Sequence, residues 1–111
     1  MLTVDFMNLD IYSVLKENYQ DDRIQKILDS LPEEEKQVLD DRIGINGEKM
    51  TRNAIATKMG ITLDRVRGIE ERALKHLKHP ARFQYINEVL DPNFHASEKA
   101  HEFFNSQNKK M

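Results

Sequence analysis

Two residues four positions apart, Ala56 and Gly60, constrain this chain more than any other feature. A pair of helices joined steeply through a tight turn needs a small residue where the helices cross. It also needs a residue that tolerates positive φ in the turn. Ala56 meets the first demand and Gly60 the second. Ile55, Met59, Ile61, Val66 and Ile69 fall at the offsets that bury such a pair. Asp64, Arg65 and Arg67 leave the start of the second helix polar and outward-facing. Met together, these requirements describe a helix-turn-helix, which presents the N-terminal end of its second helix to the DNA major groove. An ordinary helical hairpin with a chance glycine needs only some of them.

The rest of the chain also reads as helical. Ile11, Val14, Leu15 and Tyr19 recur at helical spacing over residues 8–19. Ile24, Ile27, Leu28 and Leu31 do the same over 21–31. Pro32 and the carboxylates of Glu33, Glu34 and Glu35 suit the first turn of a third helix, where the dipole favours negative charge. Ser30 with Glu33 has capping-box spacing. Val38, Leu39 and Ile43 give that helix its stripe, and Gly44 is a natural stop. Thr51 is placed to cap a short helix over 52–58, and a longer one follows over 63–77. Pro80 ends it, and further helices are expected over 81–90 and around Ala96, Ala100, Phe103 and Phe104, before a polar tail from Asn105. The fold expected is all-α, a helix-turn-helix domain with additional N- and C-terminal helices. Its parts are an acidic extension (1–30), the central domain (31–90) and a C-terminal helix with tail (91–111).

Charge is unevenly spread. Residues 51–82 carry eight Lys/Arg against three Asp/Glu, whereas residues 1–50 carry six against twelve. A basic block in an acidic chain is a footprint for a polyanion, although a charge run alone is more often a solvated face.

Other chemistries find little support. The absence of cysteine excludes disulfides, thiolate zinc sites and cysteine nucleophiles, and suits the cytoplasm. No apolar run approaches a membrane span. His76 and His79 sit i, i+3, with His95 and His101 further on, a pattern better explained by helix-surface histidines than by zinc. No calcium loop, phosphate loop or Ser/His/Asp arrangement is present, so neither enzyme nor cofactor is expected. Phe94, Phe103 and Phe104 are expected to pack in the core rather than to form a partner face.

The run 65–80, with Arg65, Arg67, Ile69, Glu70, Arg72, Ala73, Leu74, Leu77, His79 and Pro80 in order, resembles the end of region 4 of bacterial primary-type sigma factors. The run 31–45, with Leu31, Pro32, Glu35, Val38, Leu39, Arg42 and Gly44, resembles the preceding subregion. That resemblance implies a domain that reads a promoter −35 element in the major groove and docks on the β-flap of RNA polymerase. It implies that Thr62, Leu63, Asp64, Arg67 and Gly68 lie on the surface that faces DNA. Arg42 and Thr51 then lie near phosphate-contacting positions, Arg52 and Arg65 join the DNA-binding set, and Arg72, Lys75 and Lys78 form a basic ridge.

The sequence departs from the family at two reading positions. Leu63 stands where a basic residue is usual, and Gly68 stands where glutamine is usual. The family's aromatic-rich, promoter-melting region 2 has no counterpart here. The expectation is therefore a regulator working with a second sigma-like subunit, or a sigma mimic that appropriates or blocks polymerase. The alternative is a free-standing repressor that dimerises through residues 81–104 and reads a palindrome without polymerase.

Overall fold

Seven helices and no strand make up residues 10–108, the part of the chain that the computed structural model describes. They are α1 (Ile11–Glu17), α2 (Asp22–Asp29), α3 (Glu33–Ile43), α4 (Arg52–Met59), α5 (Leu63–Leu77), α6 (Pro80–Leu90) and α7 (Glu98–Asn108). The expected start of the first helix at residue 8 lies outside the described residues.

Local chemistry sets most of the boundaries. Asp10 and Asp21 accept from the first-turn amides of α1 and α2. The α3 helix stops at Gly44, whose φ is +82°, and the amides of Gly44 and Ile45 both return to the Asp40 carbonyl. A side chain at Gly44 would also sit 2.8 Å from the Lys49 amide, so glycine is needed there twice over.

Three local expectations are corrected. The Ser30–Glu33 capping box does not form, because α3 starts at Glu33 with Pro32 as an N-cap that makes no side-chain bond. Ser30 instead ends α2, with its hydroxyl donating to the Ile27 carbonyl. Pro80 opens α6 as well as closing the previous element, since a first-turn amide has no helical partner to lose. The polar stretch from Asn105 continues α7 to Asn108, carried by the helix that Phe103 and Phe104 anchor; residues 109–111 lie outside the described residues.

The apolar stripes meet in two clusters. The larger draws Leu15 from α1, Ile24 and Leu28 from α2, Leu39 and Ile43 from α3, Ala73 and Leu77 from α5, Ile86 from α6 and Phe104 from α7. The smaller holds the helix-turn-helix together through Val38, Ile55, Ala56, Val66 and Ile69. Truncating one such buried aliphatic side chain to alanine typically costs about 2–5 kcal/mol.

The helices beyond the central domain share the larger cluster rather than trailing from it. Tyr85 stacks on Phe104 with ring centroids 4.3 Å apart; of the three phenylalanines expected in the core, Phe104 is buried there, Phe103 packs against it partly exposed, and Phe94 lies outside both clusters. Arg82, only 7% exposed, ties three elements together. It donates to the Ser30 hydroxyl at 2.9 Å and to the Ser30 and His76 carbonyls at 3.3 Å, and lies over the Phe103 ring.

Candidate nucleic-acid interface

The α4–turn–α5 unit is built as its sequence demands. Thr51 Oγ1 accepts from the Ala54 amide and Thr62 Oγ1 from the Arg65 amide, both at 3.1 Å, so each helix has a side-chain N-cap. Gly60 ends α4 at φ +70°, and the Ile61 amide closes back onto the Ala56 carbonyl at 3.0 Å. That closure turns the chain from α4 into α5 while Ile55, Ala56, Val66 and Ile69 stay buried together.

The outer face of α5 is open. Asp64, Arg67, Gly68 and Glu71 line a groove of about 590 Å³ together with Arg52, Glu70 and Leu74. Arg67 reaches Asp64 at 3.5 Å, with both side chains largely exposed. A second groove of about 390 Å³ lies further along α5, lined by Glu71, Arg72, Leu74, Lys75 and Lys78. Leu63 is half-buried beside Thr62 at the start of the helix.

The expected site residues therefore divide. Arg52, Asp64, Arg67 and Gly68 share one groove, and Arg72 and Lys75 line the next. Thr51 and Thr62 spend their hydroxyls as caps. Arg65 and Arg72 both lean toward Glu34 of α3 at 3.7 Å, remaining more than half exposed. Arg42 turns inward: its Nε donates to Glu70 Oε2 at 3.0 Å and its Nη1 to the Met50 carbonyl at 3.1 Å.

The hub of this arrangement is Glu70, which sequence reasoning missed. Its carboxylate is buried and accepts from Arg42 Nε, from Arg52 Nε at 2.6 Å and from the Tyr12 hydroxyl of α1. Burial pushes its pKa up, but the hydrogen bonds from Tyr12, Arg52 and Arg42 outweigh it and hold the carboxyl below its ordinary value. Burial, and then Glu70 itself, pushes the Tyr12 phenol upward. Two guanidinium groups on one carboxylate leave the cluster net positive beside the groove, with the Arg52 side chain 44% exposed. The signal was present in the sequence: positions 66, 70, 73 and 77 form one helical stripe, and a carboxylate in an apolar stripe needs cationic partners.

Three of the four histidines are engaged by neighbouring groups, and His95 is exposed. His76 Nδ1 meets Glu35 Oε1 at 2.7 Å, His79 Nδ1 accepts from the Ala81 amide and His101 meets the Tyr85 hydroxyl. Among the described residues, no three potential ligands gather as a metal site would require, and no helix is long and apolar enough to cross a membrane.

A capped, glycine-turned helix pair with a solvent-facing second helix defines the helix-turn-helix class of DNA-binding proteins. Comparison with known proteins narrows the class. Residues 27–79 match the family model for sigma-70 region 4. The RNA polymerase sigma factor SigA from Bacillus sp is 36% identical over 81 residues, which is 72% of this chain and 20% of that protein. Residues 27–79 are a sigma-70 region 4 domain. The chain spans about a fifth of the length of that relative. No solved structure matches the chain.

Proposed function

We propose that this chain is a transcription regulator that lays α5 in the major groove of upstream, −35-like promoter DNA while docked on the β-flap of RNA polymerase. One observation carries the reading: Arg52, Asp64, Arg67 and Gly68 lie together on an open groove at the N-terminal half of a capped second helix. Arg67 is the side chain best suited to a guanine edge, because its planar fork can donate twice. Arg52, Arg65, Arg72 and Lys75 supply cations for phosphates around it, while Arg42 stays turned inward on Glu70. In this reading, strand opening is the task of another segment or of a second sigma-like subunit.

The relative's printed name, an RNA polymerase sigma factor, supports the polymerase half of the proposal. The dimeric-repressor alternative is less well served. Tyr85, Ile86 and Phe104, which a dimer through residues 81–104 would draw on, are buried in the chain's own core.

The test is co-elution of the chain with bacterial core RNA polymerase, with and without the isolated β-flap as competitor. Flap-dependent co-elution, followed by an upstream footprint on promoter DNA, is the expected result. A two-fold dimer that ignores polymerase and protects a palindrome would overturn it.

A further inference from the structure

Gly68 is a glycine without an internal reason. It sits inside α5, where glycine destabilises a helix relative to alanine. Its φ is not positive, and a Cβ there would meet nothing closer than Arg72 Nη1 at 3.7 Å. Among the described residues, neither backbone conformation nor packing asks for it, which points to what approaches from outside.

The side chains around that bare patch have a definite register. Asp64, Arg67, Gly68 and Glu71 stand at i, i+3, i+4 and i+7, the spacing by which one helix in a major groove brings successive side chains to base edges. All four line the same groove. Glu71 is exposed and has no hydrogen bond or ion pair among the described residues. It carries no structural duty, yet it faces the groove that DNA is proposed to fill. An idle carboxylate on a phosphate-facing helix weakens binding by repulsion unless it accepts a specific donor.

The donor follows from base chemistry. In the major groove, the exocyclic amine of cytosine is the group that glutamate or aspartate accepts from, as guanine is the base that arginine donates to. Residues 67 and 71 are four apart, so their Cβ atoms lie roughly 6 Å from each other, within reach of one base pair or two neighbouring ones. With no side chain at Gly68 between them, the helix can approach closely enough for both to engage.

We infer that Glu71 is a specificity-determining residue, accepting a hydrogen bond from the amine of a cytosine within one step of the base pair that Arg67 reads. This rests on the proposed placement of α5 in the major groove.

The test uses the full chain and its E71A and E71Q variants. Each is titrated against the selected wild-type duplex and against duplexes carrying every single base substitution. For the wild type, loss of one cytosine should weaken binding about tenfold, within the range of one base-edge contact. In E71A that penalty should shrink below about twofold, while other positions keep theirs. E71Q should shift the preference at that position toward adenine, which an amide reads through its amine and ring nitrogen. If both variants change affinity equally on every duplex, Glu71 is only a repelling charge and the inference falls while the DNA reading stands. If the wild type distinguishes no duplex from any other, the placement of α5 falls and the inference falls with it.

Discussion

Arg52, at the start of α4, donates its Nε to Oε1 of Glu70 on α5 at 2.6 Å, so the two helices of the turn are cross-linked by charge as well as packed. Arg42 of α3 and Tyr12 of α1 converge on the other carboxylate oxygen. One buried side chain thereby fixes four helices around the proposed DNA face.

Removing that carboxylate leaves two guanidinium groups facing each other without their anion. Glu70→Ala should destabilise the fold by about 3 kcal/mol, the usual scale for breaking a buried charge pair from one side. Arg52→Ala should cost about 1 kcal/mol or less, because its side chain is 44% exposed and solvent screens the pair. Urea unfolding of both variants checks the order. Equal losses would show that the pair is not the hub described.

The turn glycines should not behave alike. At Gly60 an added Cβ meets open space, so Gly60→Ala carries only the left-handed backbone strain, about 1–2 kcal/mol. At Gly44 the same strain is joined by a backbone contact at 2.8 Å that no rotamer relieves. Gly44→Ala should therefore unfold at distinctly lower temperature than Gly60→Ala. Gly68→Ala should go the other way, raising stability by up to about 1 kcal/mol.

Much of this fold was legible because the sequence states its turns. Gly44, Thr51 and Gly60 each act through local backbone chemistry, and each sits where that chemistry predicts. The partners of Glu70 were not legible in the same way. Tyr12 lies 58 residues from Glu70 and Arg42 lies 28 away, and only tertiary packing brings them together. Ser30 misled for a related reason. Its spacing to Glu33 fits a cap, but Pro32 holds the N-cap position of α3 and the serine hydroxyl serves the end of α2 and the Arg82 guanidinium instead.

Acid should loosen the C-terminal helix. His79 Nδ1 accepts from the Ala81 amide, and its ring stacks on Phe103 of α7 at 4.8 Å. Burial, with the charges of Arg82 and His76, pulls its pKa below the ordinary imidazole value. The folded state thus favours the neutral ring, and the unfolded chain binds the proton first. This contribution to stability is complete above the ordinary pKa of about 6.5, and is lost as the pH falls below it toward the depressed folded value. Unfolding midpoints between pH 8 and pH 5 should show the drop, and His79→Gln should flatten it. An unchanged slope in that variant would assign the pH dependence to other groups.

Arg67 and Lys75 should separate reading from holding. Arg67→Ala should cost about 1–3 kcal/mol on the preferred site and relax one base pair. Lys75→Ala should weaken all duplexes alike and lower the salt slope by about one. Loss of affinity in Arg67→Ala that is equal on every sequence would reduce Arg67 to a phosphate contact. A salt slope unchanged in Lys75→Ala would remove that residue from the footprint.

Glu34 should act as a brake on the same surface. From α3 it faces Arg65 and Arg72 together, each at 3.7 Å, and all three side chains are substantially exposed. Contacts this long and wet contribute little to folding, so Glu34→Gln should leave stability within about 0.5 kcal/mol. Its effect on DNA should be larger than its effect on the fold. While the carboxylate is present, phosphates must compete with it for two arginines and also meet its negative charge. Glu34→Gln should therefore bind any duplex more tightly, by roughly two- to fivefold at low salt, with the gain shrinking as salt screens both charges. The preferred sequence should not change, because phosphate contacts carry no base information. Filter binding at two salt concentrations on one specific and one scrambled duplex decides it. A gain confined to the specific duplex would mean that Arg65 or Arg72 reads a base.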